Sequence, residues 1–77
     1  MVAPMMIKEH MEVIGSDGVH VGTVDHMEGA DEVKLTKDDS EAGGMHHFIP
    51  LAWVDHVDGK VHLKQSGAQA KALWKMH

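Results

Sequence analysis

Two Asp-Gly pairs, Asp17-Gly18 and Asp58-Gly59, each sit between β-prone runs, and that pattern constrains the chain more than any other. Asp and Gly tolerate the positive φ of a tight hairpin turn, and the twist of such turns matches that of paired strands. Met11-Glu-Val-Ile14 and Val19-His-Val21 flank the first pair, and Val54-Asp-His-Val57 and Lys60-Val-His-Leu63 flank the second. Two β-hairpins are therefore predicted.

Between them, Glu32-Val-Lys-Leu-Thr36 alternates polar and apolar residues, and His46-His-Phe-Ile49 is a short run ended by Pro50. These read as the third and fourth strands. Pro50 lacks a ladder donor, so Pro50-Leu-Ala-Trp53 is predicted to turn tightly and deliver Trp53 and Val54 inward. Lys37-Asp-Asp-Ser-Glu-Ala-Gly-Gly44 has no apolar periodicity and reads as an exposed, mobile loop whose carboxylates are simply solvated. Residues 66–75 are rich in helix formers behind Ser66, an N-cap type, so a short helix is expected, with Ala70, Leu73 and Trp74 on one face. That face serves either as a flap over the end of the sheet or as a docking surface. Val24-Asp-His-Met-Glu-Gly29 echoes Val54-Asp-His-Val-Asp-Gly59, and shared turn requirements explain the echo as well as duplication does.

With 77 residues, the chain is read as one domain over positions 1–77, and a domain of that size buries only about 60% of its unfolded surface. It has no cysteine to staple a small core, which fits a reducing compartment. Aromatic residues make up 4%, so Val, Leu, Ile and Met fill the interior. A net charge of −5 and no basic stretch argue against nucleic acid as a partner. The apolar Met1–Ile7 lacks the basic flank of a secretory leader, and no run approaches the roughly 20 apolar residues of a spanning helix. A cytoplasmic protein without membrane attachment is the expectation.

The succession of an apolar strand, Asp17-Gly18, Val21-Gly22-Thr-Val24, a paired strand, Ile49-Pro50 with Val54 and a closing hairpin resembles the PRC-barrel superfamily over about Ile7 to Lys64. More narrowly, His10-Met-Glu-Val-Ile-Gly-Ser-Asp-Gly-Val-His-Val-Gly-Thr-Val-Asp25 and His46-His-Phe-Ile-Pro-Leu-Ala-Trp-Val54 look like a small uncharacterised bacterial family of stand-alone PRC-barrel-like proteins. The resemblance implies a mainly β fold: a six-stranded, partly open, SH3-like barrel over about 7–64, with a short C-terminal helix. It is similar to the cytoplasmic domain of the photosynthetic reaction-centre H subunit and to the C-terminal domain of a ribosome maturation factor. The resemblance implies an adaptor barrel that holds or regulates another macromolecule, although those relatives carry partner domains that this chain is expected to lack. The matching Asp17, Gly18, Gly22 and Pro50 are turn and bulge formers and bear on fold alone.

Eight histidines, His10, His20, His26, His46, His47, His56, His62 and His77, are the most unusual feature of the composition. A metal centre needs three or four converging donors. Adjacent His46 and His47 point to opposite faces of a strand, so at most one of them joins a given cluster. A two-residue turn at Asp58-Gly59 sets Val57 opposite Lys60, His56 opposite Val61 and Asp55 opposite His62, leaving His56 and His62 on opposite faces. A bulge near Asp55 instead turns Val57 inward and His56 to solvent, and is the favoured register. His62 with Asp55 is the first ion pair expected.

No helical His-x-x-x-His and no cysteine pair is present, so no metal or other cofactor is assigned; His26, His46, His56 and His62 are the candidates should one bind. Eight protonations would carry the net charge from −5 to +3, which admits a pH sensor but requires a bistable element. No catalytic constellation is evident: Ser16, Ser40 and Ser66 sit at turns or caps, and no glycine-rich phosphate loop precedes a helix. The leading expectation is a non-enzymatic protein-interaction or regulatory adaptor of unidentified partner; the alternative is a histidine-rich metal-binding or pH-responsive protein. Leu73, Trp74 and Met76 form the candidate interaction surface, with a symmetric homodimer the expected assembly.

Overall fold

A computed structural model describes residues 3–76, Met76 by its backbone alone. A 3-10 turn at Pro4–Met6 leads into β1 (Glu12–Ile14), β2 (His20–Glu28), β3 (Glu32–Leu35) and β4 (His47–Pro50). A second 3-10 turn, Leu51–Trp53, connects to β5 (Val54–Val57) and β6 (Val61–Leu63), followed by helix α1 (Gly67–Leu73) and the two-residue β7 (Lys75–Met76). The fold is mainly β with one short C-terminal helix, as expected. The six predicted strands are all present, and β7 is an addition.

The strands lie in the order β5-β6-β1-β2-β3-β4-β7. All neighbours are antiparallel except β1 and β6. The sheet curls without closing, its ends β5 and β7 not hydrogen-bonded to each other. Curling follows from β2, whose first part pairs with β1 and whose second part, from Val24 on and with a bulge between Val24 and His26, pairs with β3. A bulge bends its strand and sharpens the local twist. One core results, drawn from Val13, Val21, Val24, Val33, Leu35, Ile49, Val54, Val61 and Leu63, with Ile7 and Ala70 covering its ends.

Pro50 closes β4 opposite Glu32, and the turn after it buries Val54 and half-buries Trp53, as its sequence predicts. Ser66 caps α1, its Oγ accepting from the Gln69 N–H at 3.2 Å. The helix stops at Leu73, short of the predicted residue 75. Trp74 turns to extended backbone and stacks on His47, ring centroids 3.8 Å apart, while Lys75 and Met76 pair with Phe48 and His47. Pairing at the open edge of β4 and this stack outweigh helix propensity. Leu73, still within the helix, is 65% exposed, whereas Ala70 is buried.

The loop 37–44 is anchored at three points rather than solvated throughout. Asp39 has a side chain only 5% exposed, Ala42 is buried with its carbonyl accepting from His47 Nε2 at 2.8 Å, and Glu41 pairs with Lys71 at 2.6 Å. No sequence period marks these anchors, since each depends on a partner in another element.

Candidate functional site

The turn Asp58-Gly59-Lys60 has three residues, with Val57 opposite Val61 and Gly59 at φ 110°, where a residue without Cβ is favoured. The bulge falls between Val54 and His56, so the favoured register is the one found, and His56 is exposed. His56 then faces His62 across the strand pair, not the opposite face of the sheet. Their rings stack with centroids 4.1 Å apart and planes within 10°.

Acidic side chains surround the pair. His62 Nε2 lies 2.6 Å from Asp58 Oδ1, and His56 Nε2 is 3.9 Å from Asp58 Oδ2. His56 Nδ1 donates to Asp55 Oδ2 at 2.8 Å. Asp55 therefore partners His56, and the expected Asp55–His62 pair is replaced by Asp58–His62, because the bulge rotates the strand by one residue. The hydrogen bond from His62, foremost, holds the Asp58 carboxyl below its ordinary value of 3.8. Donor atoms of His56, Asp58 and His62 all lie within 4.8 Å of one another. Beside them is a depression of about 350 Å³ walled by Ile14, Gly15, Asp55 and Leu63 among others.

The other two candidate ligands stand apart. His26 is exposed between Asp25 and Glu28, each 3.4 Å away, and His46 Nδ1 is 3.2 Å from the Leu35 carbonyl oxygen. The echo in the sequence is structural: Val24-Asp-His and Val54-Asp-His both place a buried valine, a bulge and an outward histidine flanked by acids. They differ across the strand, where His26 faces Lys34 and His56 faces His62.

A second histidine centre carries no signal in the sequence. His20 on β2 joins Glu12 Oε2 through Nδ1 at 2.8 Å and Asp39 Oδ2 through Nε2 at 2.7 Å. Asp39 also accepts from Thr23 Oγ1 at 2.7 Å and from the Glu41 N–H at 2.8 Å, and Lys60 lies 3.2 Å from Glu12. Partial burial pulls the His20 pKa down, but the bonds to Glu12 and Asp39 outweigh it and leave it raised above 6.5. Burial pushes Asp39 up, yet the bonds from Thr23, Glu41 and His20 leave it lowered below 3.8. Glu12 is lowered below 4.5, first by His20 and then by Lys60. Both ring nitrogens lie within hydrogen-bond distance of carboxylates, so His20, when protonated, donates to both and clasps the 37–44 loop to the sheet.

The pH dependence of stability follows. His20, raised on folding, contributes fully below 6.5, and that contribution is lost as pH rises through its folded value. The lowered carboxylates contribute above 4.5, and lose that contribution as pH falls. These groups place the highest melting temperature between those limits, with a fall as pH rises through the folded value of His20. His20→Gln removes about 1–2 kcal/mol at pH 6 and flattens the alkaline decline. Thermal melts of both proteins across this range check it; parallel curves would refute the clasp.

Elsewhere, an apolar groove of about 620 Å³ is lined by Ala3, Pro4, Ala30, Leu51, Ala52 and Val54, with Asp31 and Lys64 beside them. Of the candidate interaction residues, Leu73 is exposed, Trp74 is half-buried on His47, and the Met76 side chain lies outside the described residues. Among the described residues, no helix is long and apolar enough to cross a membrane. A family model described as an uncharacterized protein conserved in bacteria, DUF2171, matches residues 7–71. No curated protein matches the chain.

Proposed function

The chain belongs to DUF2171, a family of uncharacterised proteins conserved in bacteria, and from that premise we propose that it is a non-enzymatic, cytoplasmic adaptor that seats an apolar segment of a partner protein. The observation that carries this reading is the groove between the Pro4–Met6 turn, the β2–β3 turn and the Leu51–Trp53 turn. Its walls are small: Ala3, Ala30 and Ala52 leave room for a bulky side chain to enter, the form that interface anchors commonly take. Among the described lining side chains only Asp31 and Lys64 are charged, which provides few of the polar groups that orient a metabolite. The curled sheet and the order of its hairpins support kinship with PRC-barrels, whose members hold other macromolecules. His20 supports a non-catalytic reading, because a general base needs a free ring nitrogen and both of its nitrogens are engaged.

A photo-crosslinking residue at position 52 tests the proposal in the native cell, with the same group at exposed Ala68 as control. Position 52 is expected to yield one specific protein adduct, abolished by Ala30→Asp in the groove. Equal adducts from both positions would sink the reading. An adduct consisting solely of a second copy of the chain would replace the partner with a homodimer, which light scattering at micromolar concentration then confirms or excludes.

A further inference from the structure

We propose that His56, Asp58 and His62 form a binding site for a divalent first-row transition ion of the zinc, nickel and copper class at the tip of the β5–β6 hairpin. The inference is independent of the groove and of any protein partner. Imidazole and carboxylate together suit these ions, whereas magnesium and calcium select oxygen donors.

Three features of the geometry carry the inference. First, the two imidazoles occupy directly facing positions, where Cβ atoms stand about 4.5–5.5 Å apart, and the donor atoms of all three residues lie within 4.8 Å. Second, the hydrogen bond from His56 Nδ1 to Asp55 requires the proton on Nδ1, which leaves the Nε2 lone pair on the side of Asp58. A carboxylate behind a ligating histidine is the usual orienting arrangement in metal sites. Third, the adjoining depression, bounded by Gly15, Ser16 and Gly18, has room for the water or external ligand that completes coordination.

The rings are parallel, so their lone pairs run side by side. An ion at about 2.0–2.1 Å from both nitrogens requires them to splay about Cα–Cβ. His56 is exposed and His62 has a quarter of its side chain in solvent, so the core need not move. Binding displaces to solvent the proton shared by His62 Nε2 and Asp58.

The molecule holds its own control. Val24-Asp-His-Met-Glu repeats the bulge, the outward histidine and both flanking acids. There the facing residue is Lys34, an ammonium that offers no lone pair and repels a cation. Across the strand pair, a histidine between acids thus faces an ammonium in one hairpin and a second imidazole in the other.

Calorimetric titration of the full chain with zinc chloride and nickel chloride, with magnesium chloride for comparison, tests the site. One zinc or nickel ion per chain is expected at micromolar affinity or tighter, with zinc-induced backbone amide shifts confined to residues 54–64 and the paired and adjoining residues 13–18, and no response to magnesium. His56→Ala and His62→Gln each weaken binding by roughly 100-fold, and the positioning variant Asp55→Asn by about tenfold. His26→Ala and His46→Ala leave affinity unchanged. Amide spectra of each variant verify that it is folded. The proposal is overturned by the absence of saturable binding, or by affinity undiminished in folded His56→Ala and His62→Gln.

Discussion

Gly15→Ala is expected to lower the melting temperature by roughly 10–20 °C, more than any other single glycine replacement in the first hairpin. A Cβ at position 15 would stand 2.2 Å from the Gly67 nitrogen and 2.7 Å from the Ser66 carbonyl carbon. Both are backbone atoms, so no rotamer change relieves the contact. Here the first turn docks on the start of α1: Ser16 N–H donates to the Gln65 carbonyl at 2.7 Å, and Asp17 Oδ1 accepts from Gly67 N–H at 3.1 Å. That bond, followed by the one from Val19 N–H, holds the Asp17 carboxyl below 3.8. Overpacking against fixed atoms costs about 3 kcal/mol, and each kcal/mol moves the midpoint of a domain this size by about 4–8 °C. Gly18→Ala is the comparison, since Gly18 has φ 80° but open space around it, and costs nearer to 1 kcal/mol. Calorimetric melts rank the two, and a larger loss at Gly18 would disprove the docking.

Leu35→Ala produces the second large effect, a loss of about 2–5 kcal/mol in urea unfolding. Leu35 on β3 is 1% exposed, in the same core as Val24 opposite it on β2 and as Ile49 on β4. The side chain cannot be replaced by collapse, because strands on both sides fix the backbone around it. The loss is a large part of the roughly 5–15 kcal/mol that a domain commands. Lys34→Ala next to it faces the other way, 4.0 Å from Asp25, and changes stability by about 0.5 kcal/mol. Equal losses at the two positions would mean that β3 does not present Leu35 to a common core.

The asymmetry between neighbouring residues is legible in the sequence itself, because alternation along a strand is a property of the backbone. So are the two Asp-Gly turns, the Ser66 cap, the inward delivery of Val54 and the bulge that exposes His56. The His20 clasp is not, since Glu12, His20 and Asp39 lie on separate elements and nothing in their spacing announces that they meet. An acidic loop looks solvated until a buried partner is known, and Asp39 differs from Asp38 only by what it touches.

The candidate metal residues divide in the same way. His56 and His62 are visible by composition, but their facing relation depends on whether two or three residues make the Asp58 turn, a difference that inverts the face of a side chain. Helix α1 is recognisable by propensity, yet its end at Leu73 is set by the open edge of β4 and by the ring of His47.

Local chemistry alone therefore determined the turns, the strands, the helix start and the pairing of like residues on one face. Tertiary structure decided where the turn of the first hairpin meets α1, which histidines converge and which acid is buried. These contacts join residues as far apart as Asp17 and Gly67, and register and chain docking, not residue preference, bring such atoms within bonding distance.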